Sequence, residues 1–445
     1  MADALDSPDI ATQLARRRRA AADAWQLHDD VVLIGAGEPI QIPGRADITY
    51  PFQAHSEYLY LTDRRLPGGV LAFDPGEGWI DFPPPVTEAD RLWSGVADDD
   101  HAPRTTADLG GWLARGGRDR HTVWLGSPPT GREAIAERDP DGAADPARAA
   151  LTERLRLALS AVRRPKDAVE LERMRSAERA TRAAFARVIE VLADGVTERD
   201  AQIELEAEAF RHGAAAMGYD TIIGTGPNSA VLHFMPSGRA MHRGELVLID
   251  AGAEHLGYVS DITRTFCVGG SFDDSQRELH AVVHAAQRGA IDAIRPGVEW
   301  RDVHLLAART IADGLVAVGI LRGSADSLVE SGAAGLFFPH GIGHLVGLGV
   351  RDAGEPLYER RNDPPPFANL RIDLPLEVGM VVTVEPGVYF VPALLQDPER
   401  RRRHRDEVDW SRVDRMLGFG GIRIEDNLLV TADAHEVITA DVPLL

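Results

Sequence analysis

The sequence contains a single cysteine, Cys267, in 445 residues. One cysteine excludes an intrachain disulfide, so the fold must be held together by other interactions. Long apolar runs are also lacking, since no stretch approaches the roughly 20 residues that a helix needs to span a bilayer. No apolar run follows the basic residues near the N-terminus, as a secretory signal would require. We therefore expect a cytoplasmic protein that does not bind a membrane.

The sequence also has fewer basic than acidic residues, with 48 Lys and Arg against 69 Asp and Glu, which gives a net charge of −21. Such a surface repels phosphate backbones, so we expect no nucleic-acid partner. The hydrophobic fraction of 44% and the charged fraction of 26% are typical of a soluble globular protein. The length exceeds what one hydrophobic core usually serves, which predicts two domains.

The hydrophobic pattern changes along the chain. Apolar runs at residues 31–34 and 70–73, separated by Pro and Gly clusters, predict strands in the first part. Helical periodicity follows over residues 169–188, and a second helix is predicted over residues 197–212. We place the domain boundary between residues 160 and 161.

Four carboxylates occur on predicted strands of the second domain. Asp250 ends an apolar strand and Asp261 lies on the next one, and an antiparallel pair would bring the two together. Glu385 ends a β-branched strand, while a period of two places Arg423 and Glu425 on the same face of another. A carboxylate in an apolar strand is costly unless it is paired or bound to metal, so the four need a common explanation.

Two histidines, His340 and His344, lie four residues apart. Pro339, Gly341 and Gly343 favour extended chain between them, in which an even spacing puts both side chains on one side. The pair alone is equally compatible with two unrelated surface histidines.

Together, these residues form a donor set of four carboxylates and one imidazole: Asp250, Asp261, His344, Glu385 and Glu425. Such oxygen-rich ligands suit two divalent ions, Mn²⁺ or Co²⁺, better than a thiolate-bound structural zinc. Two ions about 3.5–4 Å apart can share carboxylates and lower the pKa of a bridging water toward about 7. The resulting hydroxide is a hydrolytic nucleophile, so the pattern predicts a hydrolase.

Five ordered motifs carry a resemblance to the pita-bread metallopeptidases, the family of methionine aminopeptidase, aminopeptidase P and prolidase. The motifs are L-I-D-A-G at 248–252, D-I-T-R-T at 261–265, H-G-I-G-H at 340–344, T-V-E-P-G at 383–387 and G-I-R-I-E-D at 421–426. The resemblance implies an α+β chain in which residues 161–445 form a pita-bread catalytic domain.

The N-terminal part resembles the creatinase-type α/β domain of the same family, notably in Y-P-F at 50–52 and S-E-Y-L-Y-L-T at 56–62. This assigns residues 1–160 to a creatinase-type domain. Methionine aminopeptidases generally lack it, so its presence favours the proline-specific branch. In that branch the domain often helps to build a homodimer, which we expect here.

The resemblance also assigns roles to the ligands. Asp250 would bind one ion, His344 and Glu385 the other, and Asp261 and Glu425 would bridge both. Glu385 would also be the general base. The ions would be Mn²⁺, with Co²⁺ or Zn²⁺ as alternatives.

Further residues match positions near the reaction in the family. His233 would stabilise the tetrahedral intermediate and contact the substrate, and His340 would lie near the substrate carbonyl. Tyr219 and Arg423 match groups that orient the metal ligands in the proline-specific members. The resemblance places Tyr219 at the substrate and counts Arg423 among the catalytic residues. Without the resemblance, His233 and Tyr219 would be core residues and Arg423 half of a surface ion pair.

Arg371, fourteen residues before Glu385, matches the arginine with which prolidases hold the carboxylate of a C-terminal proline. A planar guanidinium suits such a bidentate contact, although an arginine in a polar loop otherwise faces solvent. The long segment after Pro386 also resembles a prolidase insertion. We therefore predict a dipeptidase that cleaves Xaa-Pro, with proline at P1′. Aminopeptidase P, acting on longer peptides, is the alternative.

One residue departs from the family pattern. Arg351 stands where members usually have a histidine that bonds the substrate, and it could supply a second cation for the proline carboxylate. Some relatives of the same fold act without metal, as creatine amidinohydrolases or as interaction modules. Those relatives have lost the acidic ligands, whereas all five ligand positions are filled here.

Overall fold

The protein is described from a computed structural model that covers residues 9–45, 48–95, 103–116, 121–128, 146–354, 360 and 366–443. The chain divides into two compact units, Met1–Arg163 and Arg164–Leu445. The boundary predicted from the sequence was 160–161. Within the described ranges, no helix has both the length and the apolar character needed to cross a membrane.

The first unit contains a four-stranded sheet with strand order β3-β2-β1-β4, in which only β1 and β4 are parallel. The strands are β1 Val31–Ala36, β2 Val70–Asp74, β3 Gly78–Phe82 and β4 Thr122–Ser127. The helices are α1 Ile10–Trp25, α2 Ser56–Thr62, α3 Leu109–Leu113 and α4 Pro146–Arg163, with a π-helical turn at Asp90–Ser94 and a 3₁₀ turn at Ala114–Gly116. The two strands predicted at 31–34 and 70–73 are confirmed as β1 and β2.

Trp25 joins the helices of this unit to its sheet. Its side chain is buried, and its indole nitrogen donates to the Leu155 carbonyl of α4 at 3.0 Å. Its ring packs against Phe73 and Trp79, with centroids 5.7 and 5.6 Å away. A buried tryptophan of this kind combines a large apolar area with a satisfied polar group.

The second unit has eight described helices: α5 Ala168–Val191, α6 Glu198–Arg211, α7 Asp274–Ala293, α8 Trp300–Ala317, α9 Ala325–Ser331, α10 Pro392–Leu395, α11 Pro398–Arg403 and α12 Trp410–Arg415. Its described strands are β5 Ala216–Met217, β6 Ile222–Thr225, β7 Leu246–Ala251, β8 Ala253–His255, β9 Tyr258–Val259, β10 Ile262–Cys267, β11 Val381–Val384, β12 Gly387–Tyr389, β13 Gly421–Arg423, β14 Asp426–Val430 and β15 His435–Val437. Short 3₁₀ turns occur at Gly226–Ala230, Ala334–Leu336 and Phe367–Asn369.

The helices α5 and α6 confirm the two predicted from periodicity. Each begins at a capping box, Asp167 with Glu170 for α5 and Thr197 with Asp200 for α6. In such a box the two side chains satisfy main-chain N–H groups that the first turn leaves unpaired. The local sequence therefore fixes where both helices start.

Strand pairing in this unit brings distant acidic residues together. β7 lies between β6 and β10, and both partners are antiparallel to it. The register places Thr263 opposite Asp250, and a single bridge then joins Thr263 to Glu425. The predicted antiparallel strand pair is confirmed as β7 and β10, with Asp261 directly before β10 and not on it. A hairpin of two short strands, β8 and β9, replaces the predicted simple turn. The predicted α+β class is confirmed.

The loop of residues 345–352, which follows His344, is held in place by hydrogen bonds and a buried ion pair. The Val346 amide donates to Val381 at 3.0 Å, and Gly347 accepts from Val259 at 3.0 Å. At the far end of the loop, the carboxylate of Asp352 lies 3.0 Å from the ammonium of Lys166, and both side chains are buried. This loop, residues 345–352, carries Arg351.

Candidate metal centre

One cavity of the second unit, about 520 Å³ in volume, brings together every site residue predicted from the sequence. These residues are Tyr219, His233, Asp250, Asp261, His340, His344, Arg351, Arg371, Glu385, Arg423 and Glu425. These residues are spread over more than 200 positions of the sequence, from Tyr219 to Glu425. The cavity therefore depends on the tertiary fold.

The ligand atoms of Asp261, His344 and Glu425 form the tightest cluster, all within 4.8 Å of one another and all from buried residues. The Nδ1 atom of His344 lies 3.1 Å from the Leu345 carbonyl and must donate to it, which leaves Nε2 as the acceptor. This Nε2 faces carboxylates, with Asp261 at 3.4 Å and Glu385 at 3.8 Å. Burial alone would lower the pKa of His344, but Asp261 and Glu385 raise it overall. A lone pair facing carboxylates requires a proton or a metal ion between them.

The other carboxylates show the same excess of negative charge. Burial raises the pKa of Glu385 to about 7. Burial also raises the pKa of Glu425 far above its usual range, and the nearby Asp261 adds to the effect. The pKa of Asp250 is raised by burial even though Arg423 opposes the shift. Without a bound cation this cluster takes up protons, and its oxygen-rich donor set with one imidazole fits a pair of divalent ions.

Tyr219 connects two of the carboxylates. Its hydroxyl oxygen lies 2.6 Å from Asp250 Oδ1 and 2.5 Å from Asp261 Oδ1. A hydroxyl has one proton, so it donates to only one of the two at a time. Burial raises the pKa of Tyr219 well above its usual range, so the group stays a donor. Arg423 Nη2 donates to the other oxygen of Asp250.

A chain of hydrogen bonds runs from Arg423 through Tyr389 to His340. Arg423 Nη1 donates to the Tyr389 hydroxyl at 2.9 Å, and this hydroxyl lies 2.9 Å from His340 Nε2. His340 Nδ1 lies 2.8 Å from the Gly341 carbonyl and donates to it, so Nε2 accepts from Tyr389. Burial, reinforced by the Arg423 charge, lowers the pKa of His340 to about 3, which keeps the ring neutral. Burial raises the pKa of Tyr389 to about 12.

Sequence reasoning missed the role of Tyr389. The residue was noted only as part of the long segment after Pro386. A period of two puts Glu385, Gly387 and Tyr389 on the same side of an extended chain, and this alternation would have indicated it.

Thr263 and Asn427 were missed as well. The Thr263 hydroxyl donates to Glu425 Oε2 at 2.6 Å. The Asn427 carboxamide accepts from the Asp261 amide at 2.9 Å and donates to the Asp261 carbonyl at 2.7 Å. Partners of this kind hold ligands in one orientation. Thr263 could have been found from its place two residues after Asp261, whereas nothing local indicates Asn427.

Three residues lie at the exposed side of the cavity. His233, Arg351 and Arg371 all have exposed side chains. Partial burial and the Arg423 charge lower the pKa of His233, and the charges of Arg351 and Arg371 act in the same direction. Among the described residues, neither Arg351 nor Arg371 has a hydrogen-bond or ion-pair partner for its guanidinium. Besides Arg423, the cavity is therefore lined by two cations that have no partner in the described part of the chain.

Residues 172–432 match the model of metallopeptidase family M24, which covers more than half of the chain. The chain belongs to metallopeptidase family M24. The site geometry and the family agree, because the matched range contains every predicted metal ligand.

Curated relatives of this M24 protein extend the match to nearly the full length. It is 32% identical over 406 residues to a probable Xaa-Pro aminopeptidase of Fusarium vanettenii, covering 87% of this chain and 85% of the relative. It is 30% identical over 443 residues to a probable Xaa-Pro aminopeptidase of Ajellomyces capsulatus, covering 96% of this chain and 93% of the relative.

Solved structures give the same result. Aminopeptidase P from E. coli with the inhibitor Pro-Leu is similar with a TM-score of 0.80 and 30% identity, over 98% of this chain and 96% of that one. Aminopeptidase PepP of Pseudomonas aeruginosa is similar with a TM-score of 0.79 and 29% identity, over the same shares. These matches confirm the predicted pita-bread fold with an N-terminal domain. They do not confirm the predicted closeness to prolidase.

Proposed function

We propose that this M24 metallopeptidase is an Xaa-Pro aminopeptidase, which hydrolyses the bond between an N-terminal residue and a following proline in peptides longer than dipeptides. The observation that carries the proposal is the buried cluster of Asp261, His344 and Glu425 beside Asp250 and Glu385. The near-full-length relatives named as Xaa-Pro aminopeptidases support the substrate class.

In this proposal Asp250, Asp261, His344, Glu385 and Glu425 hold two divalent ions. When bound, such ions supply Lewis acidity and lower the pKa of a water molecule toward about 7. The carboxylate of Glu385 is the general base. It accepts a proton from the attacking water and returns it to the proline nitrogen as the peptide bond breaks.

The histidines take different roles in this scheme. Both ring nitrogens of His340 are engaged, by Tyr389 and by Gly341, so His340 holds the Tyr389 hydroxyl and through it the Arg423 guanidinium. His233 has no hydrogen-bond partner among the described residues, and its ring faces the cavity. His233 is therefore the better placed of the two to donate to the oxygen of the tetrahedral intermediate.

The dipeptidase specificity predicted from the sequence is not supported by the comparisons, which favour the alternative. The prediction rested on Arg371 as an anchor for the carboxylate of a C-terminal proline. Arg371 does line the cavity, and its guanidinium has no partner among the residues that the structure describes. A guanidinium binds any carboxylate, however, so its presence does not set the length of the peptide.

A substrate panel tests the proposed function. We expect Xaa-Pro-Xaa tripeptides and longer peptides to have kcat/KM values at least about tenfold above those of Xaa-Pro dipeptides, a difference of about 1.4 kcal/mol in transition-state stabilisation. The measurement is initial rates with added Mn²⁺, repeated with Co²⁺ and Zn²⁺. Faster cleavage of dipeptides would make the protein a prolidase. No cleavage of any Xaa-Pro peptide by the metal-loaded protein would reject the proposal.

The guanidiniums of Arg351 and Arg371, which line the cavity, are proposed to bind the C-terminal carboxylate of short peptide substrates. Losing such a charge-assisted contact costs roughly 1.5–3 kcal/mol, or about ten- to a hundredfold in kcat/KM. We expect Arg371→Ala to cause a loss of this size on a tripeptide with a free carboxylate, and Arg351→Ala to cause a similar or smaller one.

The matched control for these arginines is the same tripeptide with an amidated C-terminus. Its kcat/KM should change by no more than about twofold in either variant, since it offers no carboxylate. Equal losses on the free and the amidated peptide would mean that the arginines do not bind this group. Metal content should stay unchanged in both variants.

Manganese as the native ion, the homodimer and the cytoplasmic location stay predictions that accompany this proposal.

A further inference from the structure

A group of buried polar side chains lies behind the metal centre, on the other face of strand β10. Side chains alternate along this strand, and Thr263 and Thr265 face the site. Thr263 donates to Glu425, and Thr265 donates to the Arg423 carbonyl at 3.0 Å. Arg264, between them, points to the opposite face and is 1% exposed.

All three nitrogens of the Arg264 guanidinium donate hydrogen bonds to groups on that opposite face. Its hydrogen bonds go to the carbonyls of Glu425 at 2.6 Å, Thr263 at 3.0 Å, Val442 at 3.2 Å and Pro443 at 3.2 Å, and to the carboxylate of Asp426 at 2.7 Å. Arg264 therefore ties the main chain at a predicted metal ligand, Glu425, to the C-terminal segment of residues 439–443.

Thr439 makes a second connection from the same segment. Its hydroxyl donates to Asp426 Oδ1 at 2.7 Å and accepts from the Asn427 amide at 3.0 Å. Asn427 in turn holds the main chain of Asp261 through its carboxamide. The remaining oxygen of Asp426 accepts from Gln287 at 2.6 Å.

We propose that Arg264 and Thr439 are positioning residues that fix the main chain at Asp261 and Glu425 and so set the affinity of the centre for metal. The proposal rests on the proposed metal binding but not on the peptide substrate. Leaving a buried donor or acceptor unpaired is costly, so removing one contact shifts the neighbouring chain. Small shifts matter here because outer partners of metal ligands typically contribute ten- to a hundredfold, roughly, in metal affinity.

Two substitutions at Thr439 test the idea. Valine has nearly the shape of threonine but lacks the hydroxyl, whereas serine keeps the hydroxyl. We expect Thr439→Val to bind Mn²⁺ about tenfold more weakly than the unmodified protein, and Thr439→Ser to stay within about twofold of it. The measurement is calorimetric titration of the metal-free, full-length protein with Mn²⁺, alongside its unfolding temperature.

The control lies on the same segment but outside this network. Asp441 pairs at the surface with Arg182 at 3.4 Å, and Asp441→Asn should leave the Mn²⁺ affinity unchanged. A lower unfolding temperature for Thr439→Val with unchanged Mn²⁺ affinity would overturn the proposal, because Thr439 would then stabilise the fold alone. A serine variant as weak as the valine variant would overturn it too.

Gln287→Leu provides a second route if Thr439→Val does not fold. It removes a donor to Asp426 from helix α7, and we expect Mn²⁺ affinity to fall several-fold; unchanged affinity would count against the network. The outcome is separate from the proposed function. If Thr439→Val weakens Mn²⁺ binding while no Xaa-Pro peptide is cleaved, the function fails and this inference stands.

Discussion

Asp261→Ala is expected to lose both its bound metal and its peptidase activity. Asp261 supplies one of the three clustered ligand atoms, 3.4 Å from His344 Nε2, and its other oxygen lies 2.5 Å from the hydroxyl oxygen of Tyr219. Among the described residues, Asp261, His344 and Glu425 are the group whose ligand atoms lie within 4.8 Å of one another, so loss of Asp261 breaks up the cluster. The loss should exceed the roughly ten- to a hundredfold that removal of an outer partner causes.

Metal analysis after dialysis and assays with a proline tripeptide would measure both effects. Asp220→Ala is the matched control, because Asp220 lines the same cavity but does not belong to the cluster. It should keep its metal. Activity retained by Asp261→Ala would exclude a mechanism in which this carboxylate holds the metal.

Lys166→Met is expected to lower the free energy of unfolding of the protein by about 3–5 kcal/mol, the usual loss when one partner of a buried ion pair is removed. Asp352 lies 3.0 Å from Lys166, and the two side chains are 1% and 0% exposed. The substitution removes the ammonium that lies 3.0 Å from the buried Asp352 carboxylate. Denaturant unfolding, followed by fluorescence, would measure the change.

Two further variants complete this test. Glu436→Gln breaks the exposed pair with Arg175 and should change stability by less than about 1 kcal/mol. Replacing both buried partners, with Lys166→Met and Asp352→Leu together, should recover part of the loss, since both members of the buried ion pair are then removed. If Lys166→Met were as mild as Glu436→Gln, the pair would not hold the loop.

The parts of the site that could be predicted follow from local patterns. Asp250 lies near the end of β7 and Asp261 directly precedes β10, so the antiparallel pairing of these strands places them. Arg423 and Glu425 were predicted on one strand, but β13 ends at Arg423 and Glu425 lies between β13 and β14; the two-residue spacing still brings both to the cavity. The helix starts at Asp167 and Thr197 are likewise predicted by capping boxes, each of which spans four residues. Such short-range rules operate wherever the chain is regular.

Tyr389 and Thr263 were missed although local spacing indicates them, whereas other missed parts depend on contacts between distant segments. Asn427 holds Asp261 across 166 residues of sequence, and Arg264 reaches Val442 across 178. No spacing rule connects residues so far apart, because their approach is set by the packing of whole sheets. The preference for dipeptides was not supported for another reason. It relied on one arginine whose chemistry fits several ligands.

The loop at residues 345–352 determines how Arg351 can bind. Main-chain hydrogen bonds and the Lys166–Asp352 pair fix the backbone before any ligand arrives. A peptide carboxylate bound as proposed would restrict only the side chain of Arg351, which would limit the conformational entropy lost on binding to about 0.5–1.5 kcal/mol. A flexible loop would lose backbone entropy as well. The recognition proposed for Arg351 would therefore be preorganised, and more of the free energy of that contact would remain for selecting the substrate.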